Sequence, residues 1–344
     1  FMKKKVALLL VLTMVMFALA ACGGAKEETP PTDNPPAAST VLTGLAVISS
    51  GAKSVDAGDK DGVAQTDSLA VAVTVDDAGK IVNCAIDQAQ TKIAFSKDGK
   101  IVTPLDTIFV AKQEMGTEYG MGKASAIGKE WNEQATAFSN YVIGKTVAEV
   151  KGIAVNEEGV PTGDDLKSSV TVHVTDFIKG IEKAVANAQD LGASAEDKLG
   201  LGIVTNIAKS KDAGEEDGDA QAYSYYTATT FDADGVITSS IIDASINDVN
   251  FSKEGKITSD INAELKTKDE LGDAYGMKKA SSIGKEWNEQ AAAFAKYVVG
   301  KTVAEVKGIS VDAGVPTGDD LKSSVTVHVT DFFTILDKAN NAAK

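Results

Sequence analysis

Residues 160–177 read VPTGDDLKSSVTVHVTDF, and residues 315–332 read the same, letter for letter. The chain around the two copies also repeats, but with drift. Gly44-Leu45 returns as Gly200-Leu201, Phe95 as Phe251 and Trp131 as Trp287, all at an offset of 156. One residue is lost between Asn156 and Gly159, so Pro161 returns as Pro316 at an offset of 155. A period this long marks a duplicated domain; solenoid units run to about 20–50 residues. The duplication places one copy at 43–189 and the other at 199–344, joined by the polar stretch 190–198.

Within the invariant segment, Val170 to Val174 alternates like a strand. Thr175 then stands as a helix N-cap, with Asp176 in the positive first turn and Phe177, Ile181 and Val185 turned inward. A helix N-terminus behind a hydroxyl-rich turn offers free backbone N–H groups to an anion. The two histidines of the chain, His173 and His328, occupy matching places in a Val-His-Val run. Such a setting reads as a structural or surface histidine rather than as acid–base machinery.

Upstream, Ser125 is placed to cap a helix running through about Val142, with Ser281 as its counterpart. Ile127, Trp131, Ala135, Phe138 and Val142 fall on one face, which makes the tryptophans core residues. Thr146 and Glu149 have the capping-box spacing, repeated by Thr302 and Glu305. The first part of each copy reads as hairpins. Residues 68–75 and 80–86 flank the turn Asp76-Asp77-Ala78-Gly79. A second, shorter pair, 91–95 and 101–102, flanks Lys97-Asp98-Gly99. The expected class is α+β: an antiparallel sheet first, helices after it, the whole built twice.

The loops DAGDKDG (56–62) and DAGEEDG (212–218) invite a calcium reading. Against an EF-hand pattern, however, the first and twelfth ligands would be Ala57 and Ser68, so a solvated acidic loop is expected. Cysteines number two, which rules out a disulfide framework. Cys84 reads as a small buried apolar residue on a strand. Aromatics make up only 6% of the chain, so the core must come mainly from Val, Ile, Leu and Ala. Net charge is −15, and −18 once Lys3, Lys4 and Lys5 are set aside. That balance argues against nucleic acid as a partner. The chain has no arginine, so an anionic ligand would be held by lysine, hydroxyls or backbone N–H groups.

Residues 2–22, MKKKVALLLVLTMVMFALAAC, have the form of a secretory signal peptide. The ending Leu19-Ala20-Ala21-Cys22 resembles a bacterial lipobox. That resemblance implies a diacylglyceryl Cys22 as lipid anchor and an extracytoplasmic, membrane-tethered location. Residues 23–42 hold four of the seven prolines and read as a linker.

No Gly-x-Ser-x-Gly elbow, P-loop, His-Glu-x-x-His or Cys-x-x-Cys motif occurs, so no hydrolase or transferase set and no metal site is expected. Three stretches carry a resemblance instead. They are the hairpin VAVTVDDAGKIVNCAI (71–86), GKEWNEQ (128–134 and 284–290), and DLKSSVT (165–171 and 320–326). Together they resemble the FMN-binding domain family, and in particular tandem-repeat flavinylated lipoproteins of extracellular electron transfer. In that family a flavin transferase joins FMN through its phosphate to a threonine of the motif Asp-x-x-Ser-Gly-Ala-Thr. The resemblance therefore implies FMN on Thr171 and Thr326, with Ser168 and Ser323 at the family's serine. It also implies a flavin transferase and a membrane electron donor as partners. The family's Gly-Ala is Ser169-Val170 here, and Ser324-Val325 in the second copy. Glycine gives a tight turn and a close approach that a side chain opposes. The departure keeps a second expectation open: a non-catalytic surface lipoprotein whose degenerate domains bind a ligand or partner.

Overall fold

Runs of Val, Ala, Ile and Thr on either side of an Asp-x-x-Gly turn suit a pleated, buried surface, and they form the longest strands of the molecule. The computed structural model describes residues 39–344. The signal peptide with Cys22, and the proline-rich linker as far as residue 38, lie outside the described residues. The last residues assigned to that linker, Thr40–Leu42, instead open strand β1, Thr40–Ser50. Strands β2 (Gly62–Val75) and β3 (Ile81–Phe95) pair antiparallel from Val75↔Ile81 to Gly62↔Phe95. Their turn is closed by Asp76, whose Oδ1 accepts from the Ala78 and Lys80 amides at 3.0 and 2.7 Å. The two hairpins expected from the sequence share β3. The second has no full return strand, only a bridge from Phe95 to Ile101.

The helices follow: α1 (Lys112–Met115), a 3-10 turn at Gly116–Tyr119, α2 (Trp131–Val142), α3 (Val147–Lys151) and α4 (Thr175–Ala186). The second half repeats the order. Strands β5 (Lys198–Asn206), β6 (Gly218–Phe231) and β7 (Ile237–Phe251) precede α5 (Lys268–Leu271), α6 (Trp287–Val298), α7 (Val303–Lys307) and α8 (Thr330–Ala342). The α+β class and the two sheet-and-helix halves agree with the reading of a duplication.

Three local expectations are corrected. First, the joint 190–198 is largely a strand. β4 (Gln189–Ser194) pairs antiparallel with β1 and makes the first sheet four-stranded, β3-β2-β1-β4, against β5-β6-β7 in the second. Second, α2 begins at Trp131, not at Ser125. Gly128 sits at φ 67°, which interrupts a helix there, and Glu133 accepts the Glu130 amide at 2.8 Å to start it afresh. Third, Val170–Val174 is not a strand. It is an irregular bend leading into α4, with Val174 rather than Thr175 at the N-cap position. Val170 and Val174 are buried in the core, and the Val174 amide donates to the Gly159 carbonyl.

The two sheets pack face to face. The β2 burial pattern is almost unbroken because both faces are covered. Val71, Val73 and Val75 meet α2 and α4, while Ala70 and Ala72 meet the opposite sheet through Leu201, Tyr226 and Ala228. Phe95 and Phe251 stack across this interface at 4.3 Å between centroids. The Asp-Ala-Gly loops complete it at their Asp and Ala residues, while residues 58–61 and 214–217 stay exposed, in keeping with the solvated-loop reading. Asp56 Oδ1 accepts the Ile257 amide at 2.8 Å, and the Ala57 amide donates to the Gly255 carbonyl at 2.8 Å. The other half returns the contact with Asp212 to Ile101 at 2.8 Å and Ala213 to Gly99 at 2.7 Å. Lys183 of α4 pairs with Glu270, and Lys338 of α8 pairs with Glu114, so the ion pairs are reciprocal as well. Gly44 and Gly200 let the backbones of α4 and α8 lie directly on the strands. A Cβ at either would come 2.0 Å from the carbonyl oxygen of Ala184 or Ala339.

Candidate functional site

Gln134 lies one turn into α2 and is wholly buried. Its Nε2 donates to Ser125 Oγ at 3.1 Å and to the Lys129 carbonyl at 3.0 Å. Its Oε1 accepts both the amide and the hydroxyl of Thr171, at 2.7 and 3.1 Å. Gln290 repeats the arrangement with Ser281, Lys285 and Thr326, again at 2.7 and 3.1 Å for the threonine. The fold thus joins the stretches GKEWNEQ and DLKSSVT in each half, although 37 residues separate Gln134 from Thr171. Both threonines are half-buried. Ser169 and Ser324 turn back onto their own bends and donate to the Leu166 and Leu321 carbonyls at 3.0 Å. Ser168 and Ser323 are exposed, as are His173 and His328.

The Ser-Val departure is absorbed by this bend. Among the described residues other than glycine, only Ala313 has positive φ, so Ser169 and Ser324 carry no left-handed strain. Val170 and Val325 point into the core at 0% exposure, away from the threonine hydroxyls.

One turn before Gln134, Trp131 carries a feature that sequence reasoning missed. Lys112 is buried, with Nζ 4.5 Å from the ring centroid of Tyr119 and 5.1 Å from that of Trp131. It also donates to Gln88 Oε1 at 2.7 Å. In the second half Lys268 faces three rings, Tyr223 at 4.4 Å, Tyr275 at 4.5 Å and Trp287 at 4.8 Å, and donates to the Tyr223 hydroxyl. Desolvation pushes Lys112 down to about 8 and Lys268 down to about 7, while the ring faces favour the cation. Beneath each lysine helix, Asp87 or Asp243 accepts the Gln113 or Asp269 amide at 2.9 or 3.0 Å. Burial raises both carboxyls to about 7. No sequence motif marks these lysines; the paired signal was that each recurs at the same offset as the tryptophans.

A cleft of about 870 Å³ opens where β3 and α2 of the first half meet β5 and α8 of the second. Cys84 forms part of its wall and is half-buried, not fully buried as the sequence implied; desolvation raises its thiol to about 12. Two smaller clefts, about 190 and 320 Å³, lie beside the invariant segments near Tyr141 and Tyr297. Among the described residues no helix is long and apolar enough to cross a membrane.

No family model matches the chain, and no solved structure matches it. A chlorophenol reductase of Desulfitobacterium hafniense is 58% identical over 41 residues, a stretch that spans 12% of this chain and 12% of that protein.

Proposed function

We propose that the chain is a membrane-tethered, extracytoplasmic electron carrier bearing FMN on Thr171 and Thr326. The observation that carries this reading is the Gln134–Thr171 contact and its copy, Gln290–Thr326, because it brings together two of the stretches on which the resemblance rests. Bound FMN supplies one- and two-electron transfer, chemistry that belongs to the cofactor. The protein's part is to hold and orient. Gln134 and Gln290 fix the position of the threonine hydroxyl and, as acceptors, keep its proton directed at one oxygen. The start of α4 or α8 lies four residues beyond each threonine, where helix dipoles favour a phosphate. Lys112 and Lys268 lie over the rings of Trp131 and Trp287, one turn before the glutamines, as buried amines that a nearby phosphate would hold protonated, in a chain without arginine. Cys22 would provide the lipid tether, and a flavin transferase and a membrane donor would complete the system.

The test is an intact mass of the full chain after co-expression with a flavin transferase. Two FMN adducts, mapped to the peptides with Thr171 and Thr326 and lost in Thr171→Ala/Thr326→Ala, are expected. An unmodified, colourless protein would overturn the reading. In that case the second reading, a ligand-binding lipoprotein module, takes its place; the cleft between the halves favours it.

A further inference from the structure

The sheet edges at β1 and β5 are equivalent by the repeat, yet they are covered differently. In the first half, Gln189 of β4 pairs with Thr43, and Leu265 bridges Ser49. Between these points, side chains from the end of α4 meet the edge carbonyls. Asn187 Nδ2 donates to the Leu45 carbonyl at 3.1 Å, and Lys183 Nζ to the Val47 carbonyl at 2.8 Å.

The second half keeps the two ends and loses the middle. Lys344 exchanges backbone bonds with Leu199 at 3.2 and 3.3 Å, and Phe109 bridges Thr205. Outward groups of an edge strand fall on every second residue, so the N–H and C=O groups of Leu201 and Ile203 also point out of the edge. Ala342 stands where Asn187 does and has nothing to donate. Lys338, the counterpart of Lys183, is bonded to Glu114. Among the described residues, none bonds the outward groups of Leu201 and Ile203. Both residues line the cleft of about 870 Å³, with Ala85 of β3, Ile143 after α2 and Lys338 of α8 around them. Ile108, beside Phe109 at one end of the gap, is 83% exposed, whereas its counterpart at the covered edge is Glu264.

We infer that the β5 edge is a docking site for an extended segment of a partner protein, taken up as an added antiparallel strand. Unpaired ladder groups select a polypeptide backbone, and the antiparallel pairs at either end fix its direction. Leu199 and Thr205 lie about 20 Å apart, which seats a three-residue stretch opposite Leu201 to Ile203. Its first and third side chains fall on the face of Leu201 and Ile203, beside Ala85, and are therefore small or branched apolar residues with a free N–H. The middle one, opposite Gly202, turns to α8 and is polar. Charge does not choose the occupant: Glu114 and Lys338 pair with each other, and Asp87 and Glu133 already accept backbone amides. The β5 edge of a second copy is equally recessed between its own helices and does not reach this one. The inference does not rest on flavin.

The experiment is a fluorescence-polarisation titration of a labelled, end-blocked Thr-Val-Thr-Val-Thr peptide into the full chain. Saturable binding at one site is expected, with slowed amide hydrogen exchange at Leu201 and Ile203. N-methylation of both valines removes the ladder donors and keeps the side chains; it should weaken binding about tenfold or more. Ala342→Asn, which restores the cap of the other half, and Ala85→Trp, which fills the groove, should each weaken it about tenfold. Circular dichroism identifies a variant that fails to fold, and the other then decides. No saturable binding, equal binding of the N-methylated peptide, or binding that the folded variants leave unchanged would overturn the inference. So would protection of Leu201 and Ile203 that grows with protein concentration without peptide, which would assign the edge to a second copy.

Discussion

Lys112 and Lys268 occupy the same place in the two halves, yet their charges are accommodated by different means. Beside Lys112 stand two rings, the Gln88 amide oxygen and, nearby, Asp67. Burial pushes the Asp67 carboxyl up, but bonds from Lys53, Gln65 and Gln90 outweigh it and hold the group below its ordinary value. In the second half Tyr223 stands where Asp67 does and Ala244 where Gln88 does. The lysine there relies on three ring faces, with Tyr223 and Tyr225 stacked at 4.6 Å. The Gln–Thr contacts, by contrast, have the same distances in both halves. The comparison teaches that a buried amide with four bonds to satisfy admits few solutions, whereas a buried cation can be met by a carboxylate neighbourhood or by aromatic faces.

The comparison is broken most severely at the interface both halves share. Phe95→Ala should cost about 3–5 kcal/mol, and Phe251→Ala the same, because each removes one member of a single stacked pair in a fully buried cluster. Urea unfolding of the double variant should show less than the sum of the two costs. If the halves then melt in two separate transitions, the shared core is weaker than the packing implies.

Next come the glutamines. Gln134→Ala and Gln290→Ala should each lose about 2–3 kcal/mol, since each strands a threonine amide and hydroxyl below the surface. Unequal losses in denaturant titrations would show that the two sites are less alike than their geometry.

The lysines sharpen the comparison through pH. A lysine whose folded pKa is lowered binds fewer protons in the folded state than in the unfolded state, between that pKa and the usual 10.5. Stability contributed by Lys268 therefore rises with pH above about 7, and that of Lys112 only above about 8. Between pH 7 and 10 the wild type should gain up to about 4 kcal/mol relative to Lys268→Met, less whatever the rings offset, and a smaller amount relative to Lys112→Met. The check is urea midpoints at both pH values; equal slopes for the two variants would remove the distinction between the sites. Asp87 works in the opposite sense. Its carboxyl is raised to about 7, so the folded state holds a proton that the unfolded state has lost, and stability falls as pH rises from about 4 to about 7. Asp87→Asn should flatten that limb.

The smallest effect is expected at the reciprocal loops. Asp56→Ala removes an exposed carboxylate that the Ile257 amide holds below its ordinary value. Asp212→Ala removes its counterpart at Ile101. Both should lower Tm slightly and about equally, with part of the loss screened by salt.

The sequence by itself determined the duplication, the α+β class, the first hairpin with its Asp-x-x-Gly turn, the core role of Trp131 and Trp287, and the capping box at Thr146. These follow from local patterning: side chains repeat at the period of their own element, and a turn or cap is chosen by neighbours a few residues away. Tertiary structure decided the rest. β3 became one strand instead of two because β2 runs along its whole length. The 190–198 joint became β4 because β1 offered a free edge. The acidic loop became a clasp because the hairpin tip of the other half stands against it. Gln134 met Thr171 and the rings closed on the lysines, because each of these depends on atoms brought from distant parts of the chain. Periodicity records which way a side chain points; only packing settles what it points at.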